Sequence, residues 1–206
     1  MKPHEIEQQS FKIIDEKAGD HGLPPDQWSI VRRMIHTTAD FDYIHTVRFH
    51  PEAIQAGVEA IKQGKNIITD TEMLRAGIRK ADLESFGVQV LCFLNEAGVI
   101  EESKKAGTTR AAAAVDHAIP FMEDGIYAIG NAPTALLRFL ELLEQGVAHP
   151  ALVIGLPVGF VNAAESKAAL VKVNTPFVSN AGRKGGTTVA VSVVNALIKL
   201  ALEEAM

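Results

Sequence analysis

The stretch Gly125–Gln145, GIYAIGNAPTALLRFLELLEQ, carries the reading that decides the fold. Its first five residues, Gly125–Ile129, are a short apolar run of strand type. Gly130-Asn131-Ala132-Pro133-Thr134 follows as a turn-forming loop, and Pro133–Gln145 has the pattern of a helix. A buried strand leading through a glycine-bearing loop into a helix is half of a parallel βαβ unit.

The same unit recurs on both sides. Asn66–Thr69, ending at Asp70, then Val88–Phe93, Ala151–Ile154 and Pro176–Ser179 are further strand-like runs. Helical patterns separate them. Residues 4–17 place Ile6, Ile13 and Ile14 on one side, and Pro24, Pro25 and Asp26 open a helix carrying Trp28, Val31 and Ile35. Pro51 begins a third, closed by Gly64, and Thr109–Phe121, Asn162–Val171 and Gly186–Glu204 complete the set. This alternation predicts an α/β fold of three layers, α/β/α, around a mainly parallel sheet of about five strands. No linker, repeat or low-complexity tract interrupts the chain, so residues 1–206 read as one domain.

Composition sets the limits on function. The 206 residues are 47% hydrophobic and 22% charged, the balance of a soluble globular protein. The net charge of -5, with no concentrated basic stretch, argues against a nucleic-acid partner. No apolar run reaches the length of a membrane span, and MKPHEIEQQS lacks the core of a signal peptide. Cys92 is the one cysteine and sits in an apolar run; a reducing cytoplasm is the expected compartment.

In open parallel sheets, ligands bind where strands end and lead into helices. Four loops lie there: Thr69–Thr71, Gly130–Thr134, Gly155–Gly159 and Asn180–Thr187. They are rich in Gly, Asn and Thr, which suits a pocket floor that a ligand approaches closely. Three constellations stand out. Arg33 and His36, three apart at a helix end, share a face. His36 reads either as a proton-exchanging group or as an idle capping residue. The following Asp40 and Asp42 would favour its charged form, and Arg33 would oppose it. In the loop from Asn180 to Thr187, Arg183 and Lys184 suit a carboxylate clamp or a solvated turn; the phosphate-loop pattern is absent because Gly185 follows Lys184. Thr108 or Thr109 caps the next helix, and Arg110 in its first turn opposes the helix dipole unless an anion meets it.

Other chemistries lack their signatures. His36, His45 and His50 have no zinc-site spacing, Asp40 and Asp42 fit a solvated loop better than a metal, and neither G-x-G-x-x-G nor G-x-S-x-G occurs. No metal and no cofactor are expected. The helix Gly186–Glu204 is apolar almost all round, which points to burial in the core or, as favoured here, partly at a dimer interface.

Taken in order along the chain, these residues resemble the precorrin-8X methylmutase family. The resemblance runs nearly end to end. It is carried by Ser10-Phe11, Ile13-Ile14, Arg33-Met34-Ile35-His36, Asp70 with Glu72-Met73, Thr109-Arg110, Gly130–Leu136, Gly155–Val161, Ala163–Lys167, and Gly182-Arg183 with Gly185-Gly186. It implies an isomerase of cobalamin biosynthesis that moves a methyl group from C-11 to C-12 of a corrin precursor, as a homodimer and without an organic cofactor. By the same resemblance His36 is the catalytic group, placed at the ring nitrogen nearest the migrating methyl, while Ser10 and Arg33 help hold the substrate. Asp70, Thr109, Arg110, Asn131, Thr134, Gly159, Arg183 and Gly186 complete the expected substrate-binding set. The substrate is a wide apolar disc edged with carboxylates, which fits a glycine-rich floor rimmed by Arg33, Arg110 and Arg183. Thr37–Tyr43 looks more like members that act on a substrate already carrying cobalt than on the metal-free one. Two other readings compete: a non-catalytic tetrapyrrole carrier, which would tolerate loss of His36, and a nucleotide-using α/β methyltransferase, against which the missing glycine fingerprint weighs.

Overall fold

The apolar runs read from the sequence pair into one sheet, and a further strand joins its edge. The structure is a computed structural model and describes residues 2–205. In chain order the elements are α1 (Pro3–Ala18), α2 (Pro25–Thr38), the single turn α3 (Tyr43–Thr46), β1 (Val47–Phe49), α4 (Ala53–Lys62), β2 (Ile67–Thr69), α5 (Glu72–Gly77) and β3 (Val90–Leu91). There follow α6 (Ala97–Ala106), α7 (Arg110–Ala118), β4 (Ile126–Ile129), α8 (Pro133–Glu144), β5 (Leu152–Gly155), α9 (Ala163–Leu170), β6 (Phe177–Asn180) and α10 (Thr187–Glu204). The strand order is β1-β6-β5-β4-β2-β3. β2 to β6 are mutually parallel, and β1 runs antiparallel to β6 with Val47 opposite Asn180.

Every residue of β2, β4, β5 and β6 is buried, as a sheet covered on both faces requires. Alternate side chains serve two cores. Ile126, Ala128, Leu152, Ile154 and Val178 face a layer built from α2, α4 and α10, where Ile30, Met34, Ile61, Val194 and Leu197 meet them. Tyr127, Ile129, Val153 and Phe177 face the opposite layer, with Val99 of α6, Val115 of α7, Phe139 of α8 and Leu170 of α9. The three-layer α/β/α expectation therefore holds.

The differences have local causes. β1 is three residues long with Arg48 at its centre, so neither length nor hydropathy marks it. It exists because β6 offers a free edge, and a short, charged strand is a common way to close one. The helix expected over Thr109–Phe121 ends at Ala118 and tightens into a 3-10 turn, Ile119–Phe121, at Pro120, which has no N–H to give. Most of the apolar girth of α10, for which the sequence also allowed a dimer interface, is accounted for within this chain. The helix lies on the sheet between α2 and α4, and Val189, Val193, Val194, Leu197 and Ile198 are all buried within this chain.

β2 leads outward to β3, while β4 lies on the other flank of β2, so the winding reverses between β2 and β4. Asp70 stands at this switch point, 3% exposed. Its Oδ1 accepts from Gly130 N at 3.1 Å, and its Oδ2 from Asn131 N at 2.8 Å and Ala132 N at 2.9 Å. Burial pushes the carboxyl above its usual range, and the amide bonds pull the other way. The β4–α8 loop is thus held from below by one carboxylate. Asp70→Asn replaces an acceptor oxygen with an NH2 that faces amide donors. The expected loss is about 2–4 kcal/mol of folding stability in urea titration, the scale of buried donors left unpaired; a loss under roughly 0.5 kcal/mol would remove the carboxylate from this role.

Candidate functional site

α2 buries Ile30, Val31, Met34 and Ile35, which turns Arg32, Arg33 and His36 toward the other side. The helix stops at Ala39, in the left-handed region at φ 55°, so His36 lies in its last turn with an exposed side chain. Phe11 of α1 meets the imidazole edge-on, with ring centroids 5.3 Å apart. The same phenyl ring lies under the Arg32 and Arg33 guanidinium groups, at 4.5 and 5.2 Å. Arg33 is also paired with Glu7 at 3.1 Å, and Arg32 with Asp15 at 3.0 Å. These contacts fix the frame around the imidazole.

His36 borders two cavities. One, of about 370 Å³, is lined by Arg33, Met73 and the first turns of α10, including Thr187 and Thr188. The other, of about 240 Å³, is lined by Ser10, Ile13, Ile35 and Phe41. The Ser10 hydroxyl donates to Ile6 O at 2.8 Å, leaving its oxygen free to accept. The structure therefore brings Ser10, Arg33 and His36 together.

Asp40 and Asp42 face away from this task. Both carboxylates take Lys184 Nζ, at 2.5 and 2.6 Å, which holds Asp40 below the usual carboxyl range and pushes the Lys184 ammonium up. Lys184 is therefore not half of a clamp with Arg183. It is a clasp between the segment after His36 and the β6–α10 loop. Arg183 is exposed, with no carboxylate in ion-pair range among the described residues.

A second group forms at the end of β4. Thr109 caps α7 by accepting from Ala112 N at 3.1 Å, and its hydroxyl lies 2.9 Å from that of Thr134 in the first turn of α8. Asn131 is exposed beside them. Arg110 is exposed too; its one polar contact is a long 3.5 Å approach to Asn95 Oδ1, so no carboxylate of the described residues answers it. Asp70 lies under this group, and its oxygens are engaged by backbone amides, so in this chain it supports the loop that carries Asn131. No hydrogen bond or ion pair among the described residues joins this second group to His36.

Between the two groups, the loops after β5 and β6 lean on each other. Gly159 N donates to Arg183 O at 3.3 Å and Gly186 N to Leu156 O at 2.9 Å. The tip of the β5 loop carries Phe160 and Val161, 88% and 77% exposed, an apolar pair that sequence reading left out of the site. The clasp of Lys184 was also missed, since its partners lie 144 and 142 residues away and only the fold brings them near.

Comparison with known proteins follows the same lines. A family model described as Precorrin-8X methylmutase matches residues 5–200. The chain is 47% identical to the cobalt-precorrin-8 methylmutase of Priestia megaterium, over 98% of this chain and 89% of that protein. It is 40% identical to the precorrin-8X methylmutase of Pseudomonas aeruginosa, over 93% of each. It superposes on the crystal structure of precorrin-8X methylmutase from Thermus thermophilus with a TM-score of 0.90 and 43% identity, covering 98% of this chain and 99% of that one.

Two glycines separate space from conformation in the β6–α10 loop. A Cβ on Gly185 would sit 2.4 Å from Leu156 O and 2.9 Å from Pro157 O, whereas one on Gly182 would meet nothing within 4 Å; both have positive φ. Gly182→Ala should cost about 1 kcal/mol from backbone strain alone. Gly185→Ala must also part the two loops and should cost roughly 3 kcal/mol or more. Equal losses in denaturant titrations would show that the loops are not packed as described.

Proposed function

The chain belongs to the precorrin-8X methylmutase family, and from that premise we propose that His36 is its proton donor, acting on a cobalt-bearing precursor in a site completed by a second copy of the chain. The protein is an isomerase, an intramolecular methyl transferase of cobalamin biosynthesis. One bond breaks, from the methyl to C-11, as another forms to C-12, and the conjugated electrons shift between them. Nothing is gained or lost, so no nucleophile, hydride or external methyl donor is needed.

What the reaction does need is a fixed ring conformation and a stabilised charge distribution in the migrating state. A donor hydrogen-bonded to the nearest ring nitrogen provides the second, with about 10²–10⁴-fold in rate. The observation that carries this assignment is the position of His36: exposed, held by Phe11, and set between two cavities beside Ser10 and Arg33. Positioning supplies the rest. Arg110 and Arg183 are cations without carboxylate partners among the described residues, on the carboxyl edge of the sheet, suited to the acidic arms of the substrate, with Thr134, Asn131, Gly159 and Gly186 shaping the floor.

Two features favour a site shared between copies. The cavity beside His36, about 370 Å³, is small for a carboxylate-edged macrocycle, since sites for smaller ligands already reach roughly 300–1,000 Å³. Arg110 and Thr134 belong to a group separate from His36 in one chain, while exposed Phe160 and Val161 offer an apolar surface to a partner or to the ring face. The substrate preference rests on Thr37–Tyr43 and on relatives such as that of Priestia megaterium, named for the cobalt form. No helix among the described residues is long and apolar enough to cross a membrane, and the cytoplasm is the proposed setting.

The test is visible spectroscopy with precorrin-8X and with cobalt-precorrin-8, since the shift changes the conjugation. Wild-type protein should convert the cobalt form faster. His36→Ala should still bind, seen as a single prompt spectral change, but should lose about 10²–10⁴-fold in turnover. Turnover unchanged in His36→Ala removes the residue from the chemistry, and binding without conversion by the wild type makes the protein a carrier.

A further inference from the structure

Lys167 of α9 is 1% exposed, yet no carboxylate lies in ion-pair range among the described residues. A buried ammonium is retained at a cost unless hydrogen bonds satisfy it. Its Nζ donates to Asn180 Oδ1, at the end of β6, at 3.1 Å, and to Lys184 O at 2.5 Å. Asn180 is equally buried, and its Nδ2 donates to the same Lys184 O at 2.9 Å and to Ala181 O at 3.1 Å. Two carbonyls of the turn from Ala181 to Lys184 are thus drawn inward onto one buried pair. In a planar trans peptide the carbonyl and the following amide point opposite ways, so the N–H groups of Gly182 and Gly185 are turned away from that pair, on either side of exposed Arg183. The same loop leads into α10, whose first turn walls the cavity beside His36.

We propose that Lys167 is a positioning residue for substrate binding, which fixes the turn from Ala181 to Lys184 so that Arg183 can receive a substrate carboxylate. The inference rests on the reading of Arg183 as a substrate anchor. A purely structural lysine would be expected to lend stability. Here burial alone pulls its pKa down to about 8, which marks the site as unfavourable to the charge it holds. A methionine of similar length would fill the space and remove that penalty, at the cost of the donor to Asn180 Oδ1.

The experiment compares wild type, Lys167→Met, Arg183→Ala and the double variant. Lys167→Met should move the melting temperature only a little, since relief of the buried charge offsets the Asn180 oxygen left without its donor, while raising KM roughly tenfold, the scale of one charged hydrogen bond to a ligand, with kcat within about threefold. If Lys167 acts through Arg183, the double variant should show about the same tenfold rise in KM as either single one, since coupled effects do not add. Hydrogen exchange gives a reading that needs no substrate: the amides of Ala181 and Gly186, bonded to Thr46 O and Leu156 O in the native loop, should exchange faster in Lys167→Met, with protection elsewhere intact. A lower melting temperature with unchanged KM would make Lys167 a structural plug and overturn the proposal. Unchanged loop exchange would overturn it even if the substrate assignment stood. Faster loop exchange without wild-type turnover would place the fault in the substrate assignment instead.

Discussion

Five parallel strands buried on both faces send every loop that follows them to one edge, and the rest of this molecule is arranged around that constraint. The strands have no polar face of their own, so recognition and chemistry must come from the loops and helix starts beyond them. Backbone at that edge needs partners, because the neighbouring strands end there too. Asp70 meets the need at the switch point with three amide bonds. Lys167 and Asn180 meet it at the end of β6 by collecting carbonyls. One buried charge of each sign therefore supports a loop from beneath, the anion against N–H groups and the cation against C=O groups.

This division sorts the charged residues of the edge. Asp40 and Asp42 are taken by Lys184, Arg32 by Asp15 and Arg33 by Glu7. Surface pairs of this kind add little to stability, with a typical worth of roughly 0–1 kcal/mol. Their effect is to hold helix ends and loops in one arrangement. Arg110 and Arg183 have no such pair among the described residues, so two cations remain available at the edge although the chain as a whole carries -5. Net charge therefore says little about a ligand whose acidic groups meet only two or three positions.

The layers were legible because they depend on local pattern. Buried strands such as Ile126–Ile129 and Leu152–Gly155 are continuous apolar runs, and the helices between them carry one apolar side. β1 was not legible, because Val47-Arg48-Phe49 becomes a strand only when β6 lies beside it. α10 was legible as a buried helix but not in what buries it, since a helix apolar all round looks the same against a sheet or a partner. The site divides in the same way. His36 and its neighbours follow from position on α2, whereas the engagement of Lys184 with Asp40, or of Asp70 with the β4–α8 loop, joins residues far apart in sequence. Residue type identifies a charge; only the fold shows whether that charge is already answered.

A reaction that moves one methyl group by one carbon places an unusual demand on a protein. The methyl passes from one ring carbon to the next, so the rate gain comes from binding the migrating state better than the resting one, by holding one conformation and stabilising its charge. Rigidity at the sheet edge then becomes part of the chemistry. Phe11 fixes the plane of the imidazole, the clasp at Lys184 joins the segment beyond His36 to the β6–α10 loop, and that loop is braced on the β5 loop through Gly159 and Gly186. A displacement of the β6–α10 loop would move Arg183 and the wall formed by α10 together. His36, proposed as the donor, and Arg183, proposed as an anchor, are thereby set by a single connected frame, which would let a site with so few reactive side chains select one migration over others open to a conjugated ring.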